Sequence, residues 1–169
     1  MIGIEANGKI ICSTPPPSPD EDEDGCETAF AVGETTLNDP ALGLNTNRWG
    51  WQITVPEIVP PAANVEFSKD IYAGAGGNDT NKGTKVGTLQ VAYNGSEVNV
   101  AFMMDSGYKM NETHLYVGNV TVPTAAPGQY GGSGPTSDPK DKEIVTYTRP
   151  MSGAPVYVVA HAVVCGDGK

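Results

Sequence analysis

Hydrophobic and polar residues alternate over residues 86–103, on both sides of an Asn94-Gly95 turn signal. Successive strand side chains point to opposite faces, so this period of two predicts two antiparallel strands joined by a tight hairpin. A two-residue loop there sets Tyr93 opposite Ser96, Val91 opposite Val98 and Leu89 opposite Val100, which puts the apolar side chains on one face. Similar short segments recur at residues 27–32, 48–55, 65–73, 113–117, 143–147 and 156–164, separated by clusters of Asn, Asp, Gly and Pro. No stretch sustains a helical period for three turns. The pattern predicts an all-β fold, an antiparallel β-sandwich of about seven to nine short strands. Residues 38–47 and 123–139 read as long loops, where functional surface concentrates. No internal repeat is evident.

The first 25 residues have a different texture. Ile2, Ile4, Ile10 and Ile11 flank an Asn7-Gly8 turn signal and read as a short extended strand. A stiff polyproline segment, Pro15-Pro16-Pro17-Ser18-Pro19, and five consecutive acids at residues 20–24 follow. These define an N-terminal extended arm (1–25) ahead of one β domain (26–169). Such composition ordinarily makes a solvated tether. The isoleucines supply what a tether does not need, a strand able to dock on the sheet edge of a neighbouring subunit or to complete the sheet of its own chain.

Gly (21) and Pro (14) together make about a fifth of the chain, above the roughly 12% average yet below the roughly 25–30% of disordered chains. With 38% hydrophobic residues, 169 residues suffice for one ordinary core. The net charge of −10 repels phosphate backbones and anionic membrane surfaces, so no nucleic-acid partner is expected. The longest apolar run, residues 156–165, is interrupted by His161 and falls far short of the roughly 20 residues a membrane span needs. The first five residues contain Glu5 and no apolar signal core. A signal already removed, an artificial start and a virion component that bypasses secretion all remain open.

Cys26 and Cys165 bracket the predicted domain, so a bridge between them would tie its first strand to its last. Cys12 is left odd, and pairing with Cys26, pairing between subunits and three unbridged core thiols are the alternatives.

The order Cys26-Glu-Thr-Ala-Phe-Ala, Arg48-Trp-Gly-Trp, Tyr72-Ala-Gly-Ala-Gly, Lys82-Gly-Thr-Lys-Val-Gly-Thr, Glu112-Thr-His-Leu-Tyr-Val-Gly, Pro127-Gly-Gln-Tyr and Tyr157-Val-Val-Ala-His-Ala-Val-Val-Cys resembles a β-rich module of large secreted or cell-surface proteins, often placed after an acidic, Pro-rich linker. The resemblance covers residues 26–165 and rests on the order of the whole chain. It implies an extracellular module that begins and ends near cysteines. That group has no established activity, so no functional residue carries over.

Candidate chemistry is sparse. Asp20, Asp22 and Asp24 with Gly25 match the first half of a calcium loop, but the twelfth position is Ala31 instead of a bidentate Glu, and flanking helices are missing. Loose calcium binding is what remains, and no other cofactor is expected. His114 and His161, the only histidines, lie inside separate predicted strands without metal-ligand spacing, and read as hydrogen-bonded residues in or beside the core. Were they to meet, Glu112 and Tyr116 would be their nearest polar neighbours in sequence. No nucleophile elbow or phosphate-cradling turn is present, so no catalytic set is assigned and an enzyme is not expected. Trp49 and Trp51 alternate around Gly50 and would share one strand face. On the solvent side they would form a glycan platform with Tyr130; on the inner side they would fill the core. Asn78, Asn94, Asn111 and Asn119 open N-x-[ST] sequons at turns or strand ends, candidates for N-glycosylation in a secretory host.

The expectation that joins these features is a non-enzymatic, disulfide-tied structural protein of an extracellular or cell surface, forming an assembly or filament with copies of itself or other surface proteins. A carbohydrate-binding adhesion module recognising glycans is one alternative, and a virion or phage decoration protein is another.

Overall fold

The computed structural model describes residues 26–130 and 142–166. The arm, with Ile2, Ile4, Ile10, Ile11, Cys12 and the candidate calcium ligands Asp20, Asp22 and Asp24, lies outside the described residues. The strands are β1 (Cys26–Ala31), β2 (Thr35–Thr36), β3 (Trp51–Val55), β4 (Val65–Ala73), β5 (Thr84–Tyr93), β6 (Glu97–Met104), β7 (Tyr108–Gly118), β8 (Ile144–Pro150) and β9 (Val156–Gly166). The only helical turns among the described residues are three-residue 3-10 segments. The all-β, antiparallel expectation therefore holds. Pairing runs through all nine strands in one sheet.

β9 is the hub. It pairs with β7 along one edge and with both β1 and β3 along the other. Its continuous apolar run reflects burial on both faces, the pattern of a strand covered on two sides. Val158, Ala160, Ala162 and Val164 enter the main core with Ile53, Ile71, Leu89, Val100 and Phe102. On the other face Val159 joins a second core of Phe30, Leu37, Trp49, Trp51, Tyr116, Val122 and Tyr130. The loops after β1 and β7 cover that second core. Buried Gln52 ties one of them down by accepting a hydrogen bond from the Val122 amide at 2.7 Å. Gly50 sits between the two tryptophans at φ 138°, and a Cβ there would lie 2.8 Å from Leu37 Cδ1. Only glycine fits that crossing.

The β5–β6 hairpin forms with the expected face buried but in a different register. Tyr93 pairs with Val98, Val91 with Val100 and Leu89 with Phe102, two residues along from the sequence expectation. The cause is the Asn94 side chain, whose Oδ1 accepts from both the Ser96 and Glu97 amides at 2.8 Å and moves the turn centre to Gly95-Ser96. A shift of two preserves the side-chain faces, whereas a shift of one would invert them.

Following the pairing from β7 through β9, β1, β4, β5 and β6 to β8, every step is antiparallel. Seven strands in that path leave β7 and β8 running the same way. Where these ends of the sheet approach, they share no ladder. A single bridge joins Met110 to Lys142, the Thr113 hydroxyl hydrogen-bonds to the Tyr147 hydroxyl, and the Asn119 amide donates to Ser152 and Pro155 carbonyls at 3.1 and 2.8 Å.

Cys26 and Cys165 are register partners on β1 and β9 and are joined by a disulfide, which removes pairing of Cys12 with Cys26 from the alternatives. Because the bridge spans 139 residues of sequence, a Cys26→Ser/Cys165→Ser double variant is expected to lose up to about 5 kcal/mol. Urea unfolding free energies, taken from midpoint and slope together because the unbridged chain unfolds to a more open ensemble, check this; equal free energies for the variant and the oxidised parent would refute it.

Candidate functional site

The sheet's outer face over β1, β7 and β9 carries a cleft of about 650 Å³. It is walled by Phe30 and Trp49, by His114 and His161, and by Asn47 and Arg48, with Gly76, Gly77 and Gly128 contributing mostly backbone. Three local features assemble it. The β7 register slips between Met110 and Glu112, a bulge at Asn111. Met110 can thus enter the main core while Glu112, His114 and Tyr116 face outward. Cross-strand pairing then sets His114 opposite His161, with ring centroids 5.3 Å apart. The loop before β3 brings Arg48 over this pair, held by a hydrogen bond from Nη1 to the Ala125 carbonyl at 3.3 Å.

His114 Nε2 is hydrogen-bonded to the Glu112 carboxylate. His161 is enclosed between the Phe30 ring, 4.9 Å away edge-on, and His114. Burial depresses its pKa to about 3, with His114 and the Arg48 guanidinium adding to the effect, so the imidazole is neutral at physiological pH. Nδ1 is sealed without a hydrogen-bond partner, which leaves Nε2 as the nitrogen that meets the cleft. Glu112 can orient His114, and the neutral His161 can donate or accept one hydrogen bond. Among the described residues no hydroxyl or thiol is hydrogen-bonded to either ring.

The histidines thus differ from the sequence expectation in part. Both sit beside a core, but they meet each other and line a cleft, and His161 lacks the hydrogen bond expected of it. Arg48, one of two arginines in the chain, was not singled out from sequence, because the loop crossing that carries it over β9 has no local signature. One signal was present: a lone histidine inside an otherwise apolar, doubly buried strand.

The exposed aromatic platform is corrected. Trp49, Trp51 and Tyr130 are 7%, 5% and 4% exposed and pack in the second core, with the two indoles edge-to-face at 5.9 Å. Sugar stacking needs an open ring face, and covering this side of β9 consumes those faces. Only Trp49 also reaches the cleft wall. Burial raises the Tyr130 phenol pKa, so it stays neutral. Among the described residues no group of three His, Cys, Asp or Glu side chains could hold a metal ion, and no helix is long and apolar enough to cross a membrane. Compared with protein-family models, curated proteins and solved structures, the chain matches none.

The four sequon asparagines occupy unequal positions. Asn119 donates both its amide bonds to the β8–β9 loop, and Asn78 uses its amide to hold Gly50 N at 2.8 Å and Asn38 Oδ1 at 3.3 Å. Asn111 is a half-buried bulge residue. Asn94 is exposed, and only its Oδ1 is engaged. In a secretory host, Asn94 is expected to carry glycan and Asn119 to remain bare in the folded protein. Glycopeptide mass spectrometry reads this directly; occupancy at Asn119 with Asn94 unmodified would reverse the assignment.

His161 also sets an acid limit on stability. Its folded pKa lies below the ordinary value of about 6.5 that the unfolded chain recovers, so the unfolded state binds the extra proton. Its contribution is fully present above pH ~6.5 and is lost on acidification, by about 1.4 kcal/mol per pH unit, until the folded pKa near 3. Urea titrations from pH 7 to 4 should show this slope and show it flattened in His161→Gln; parallel slopes would refute it.

Proposed function

We propose that the chain is a non-enzymatic structural module of an extracellular surface assembly, in which the N-terminal strand of one copy adds to the sheet of the next. The supporting observation is the seam between β7 and β8. Seven antiparallel strands leave these two running the same way, and among the described residues they share no ladder; the one bridge nearby, Met110–Lys142, is antiparallel and lies just ahead of β8. One further strand, antiparallel to both, restores the alternation that an odd count breaks. Ile2 and Ile4 alternate and would share one face of such a strand, Ile10 and Ile11 add apolar side chains beyond the Asn7-Gly8 turn signal, and the proline segment supplies reach. Ile144 on β8 is 62% exposed, an apolar contact on the same edge. The disulfide between β1 and β9 and the resemblance to secreted modules support the extracellular setting.

Mass photometry and negative-stain microscopy of the full chain should find oligomers or filaments, and deletion of residues 1–25 or Ile144→Lys should reduce them to monomers with the fold intact. A full chain that is monomeric at tens of micromolar, about the affinity range of weak assemblies, would overturn the reading. So would oligomers that survive both changes.

A further inference from the structure

The cleft over β1, β7 and β9 has no part in strand addition, and its chemistry points to a small ligand. We propose that it binds a ring-bearing monocarboxylate, with the carboxylate on Arg48, the ring lying along the cleft-facing edges of Phe30 and Trp49 without stacking on their buried faces, and a ring or substituent oxygen on His161 Nε2.

A volume of about 650 Å³ falls within the range of small-molecule pockets, roughly 300–1,000 Å³. The walls are aromatic at Phe30 and Trp49, and the polar groups are few and convergent, as such sites require. Arg48 is the only basic side chain of the lining apart from the histidines. One N–H is spent on the Ala125 carbonyl, which orients the guanidinium, and its other N–H groups have no partner among the described residues. A fork of free guanidinium donors matches a carboxylate in shape and charge. The lining's one carboxylate, Glu112, is engaged by His114. With a net charge of −10 the chain repels polyanions, so one carboxylate on one arginine is the matched case.

His161 supplies the second polar contact. A neutral imidazole that is 6% exposed and unpartnered at both nitrogens is costly unless something else satisfies it. With Nδ1 sealed away from any acceptor, the proton belongs on Nε2, facing the cleft as a donor. The ligand therefore presents an oxygen acceptor there. At Gly76, Gly77 and Gly128 a Cβ would meet nothing within 4 Å, so the mouth is open enough for a ring to enter.

Two sources share this chemistry, a sugar acid and an aromatic acid, and the probes separate them. Full-length protein is titrated with D-glucuronate, benzoate and, as the uncharged comparator, D-glucose, by ligand-observed NMR and calorimetry at pH 7. At least one carboxylate should bind while glucose does not. Arg48→Gln should weaken that binding by about tenfold or more, the loss of one charge-assisted pair. Gly128→Leu, which fills the mouth without backbone conflict, should abolish binding while leaving the thermal midpoint unchanged. Binding of glucuronate alone assigns a sugar acid, and binding of benzoate alone an aromatic acid. Neither carboxylate binding at about 10 mM, well above the millimolar affinities of small fragments, overturns the proposal. Glucose binding as well as glucuronate, or carboxylate binding unaffected by both substitutions, also overturns it.

Discussion

The structure depends on burying β9 on both faces. An eleven-residue strand with almost no polar side chains has to be covered twice, once by the closed side of the sheet and once by loops. That requirement explains why three strands pair with it, why both tryptophans are spent outside the main core, and why the first strand is bolted to it by the disulfide. Burying the outer face with Trp49, Trp51, Tyr116 and Tyr130 removes them from solvent, and with them the surface on which a flat sugar would stack.

The covering of the outer face is incomplete over the lower half of β9, and that shortfall is the cleft. The aromatic layer ends at Phe30 and Trp49, and beyond it the outward positions are His161, His114 and Glu112. A histidine so placed is desolvated and driven neutral, yet it keeps one nitrogen toward the opening. The second core and the cleft are thus two consequences of one packing problem: the same layer stabilises β9 where it is complete and leaves polar groups facing an opening where it stops.

The second constraint is parity. A path of seven antiparallel strands cannot close on itself with an antiparallel junction, so β7 and β8 end it running the same way with no ladder between them; one antiparallel bridge links Met110 to Lys142, just ahead of β8, and the Thr113 hydroxyl meets the Tyr147 hydroxyl. Unpaired edges invite additional strands, and charged residues commonly guard them. Lys142 and Arg149 lie at the two ends of the β8 segment, while Ile144 and two threonines occupy the outward positions between.

Much of this fold was legible in the chain. Alternation located eight of the nine strands, and the β4 expectation of residues 65–73 coincides with the observed strand. Strand β2 is two residues long and has no period to detect. The burial of each hairpin face was readable because apolar alternation is local. The register was not, because it turned on whether the Asn94 side chain or the backbone completed the turn. The β7 bulge likewise leaves no sequence mark beyond its sequon, although it decides that Glu112 and His114 look outward.

What the sequence determined by itself is therefore the all-β class, the strand positions, the inward faces and the pair of cysteines able to close the domain, all of which follow from local alternation and spacing. Only the tertiary structure decided that the sheet is single, that Trp49 and Trp51 are interior, and that Arg48, His114 and His161, separated by up to 113 residues, share one cleft. Those outcomes depend on which strands pair across long loops and which side of β9 the loops cross. Such choices are made by the summed burial of the whole chain, and no short stretch of it encodes them.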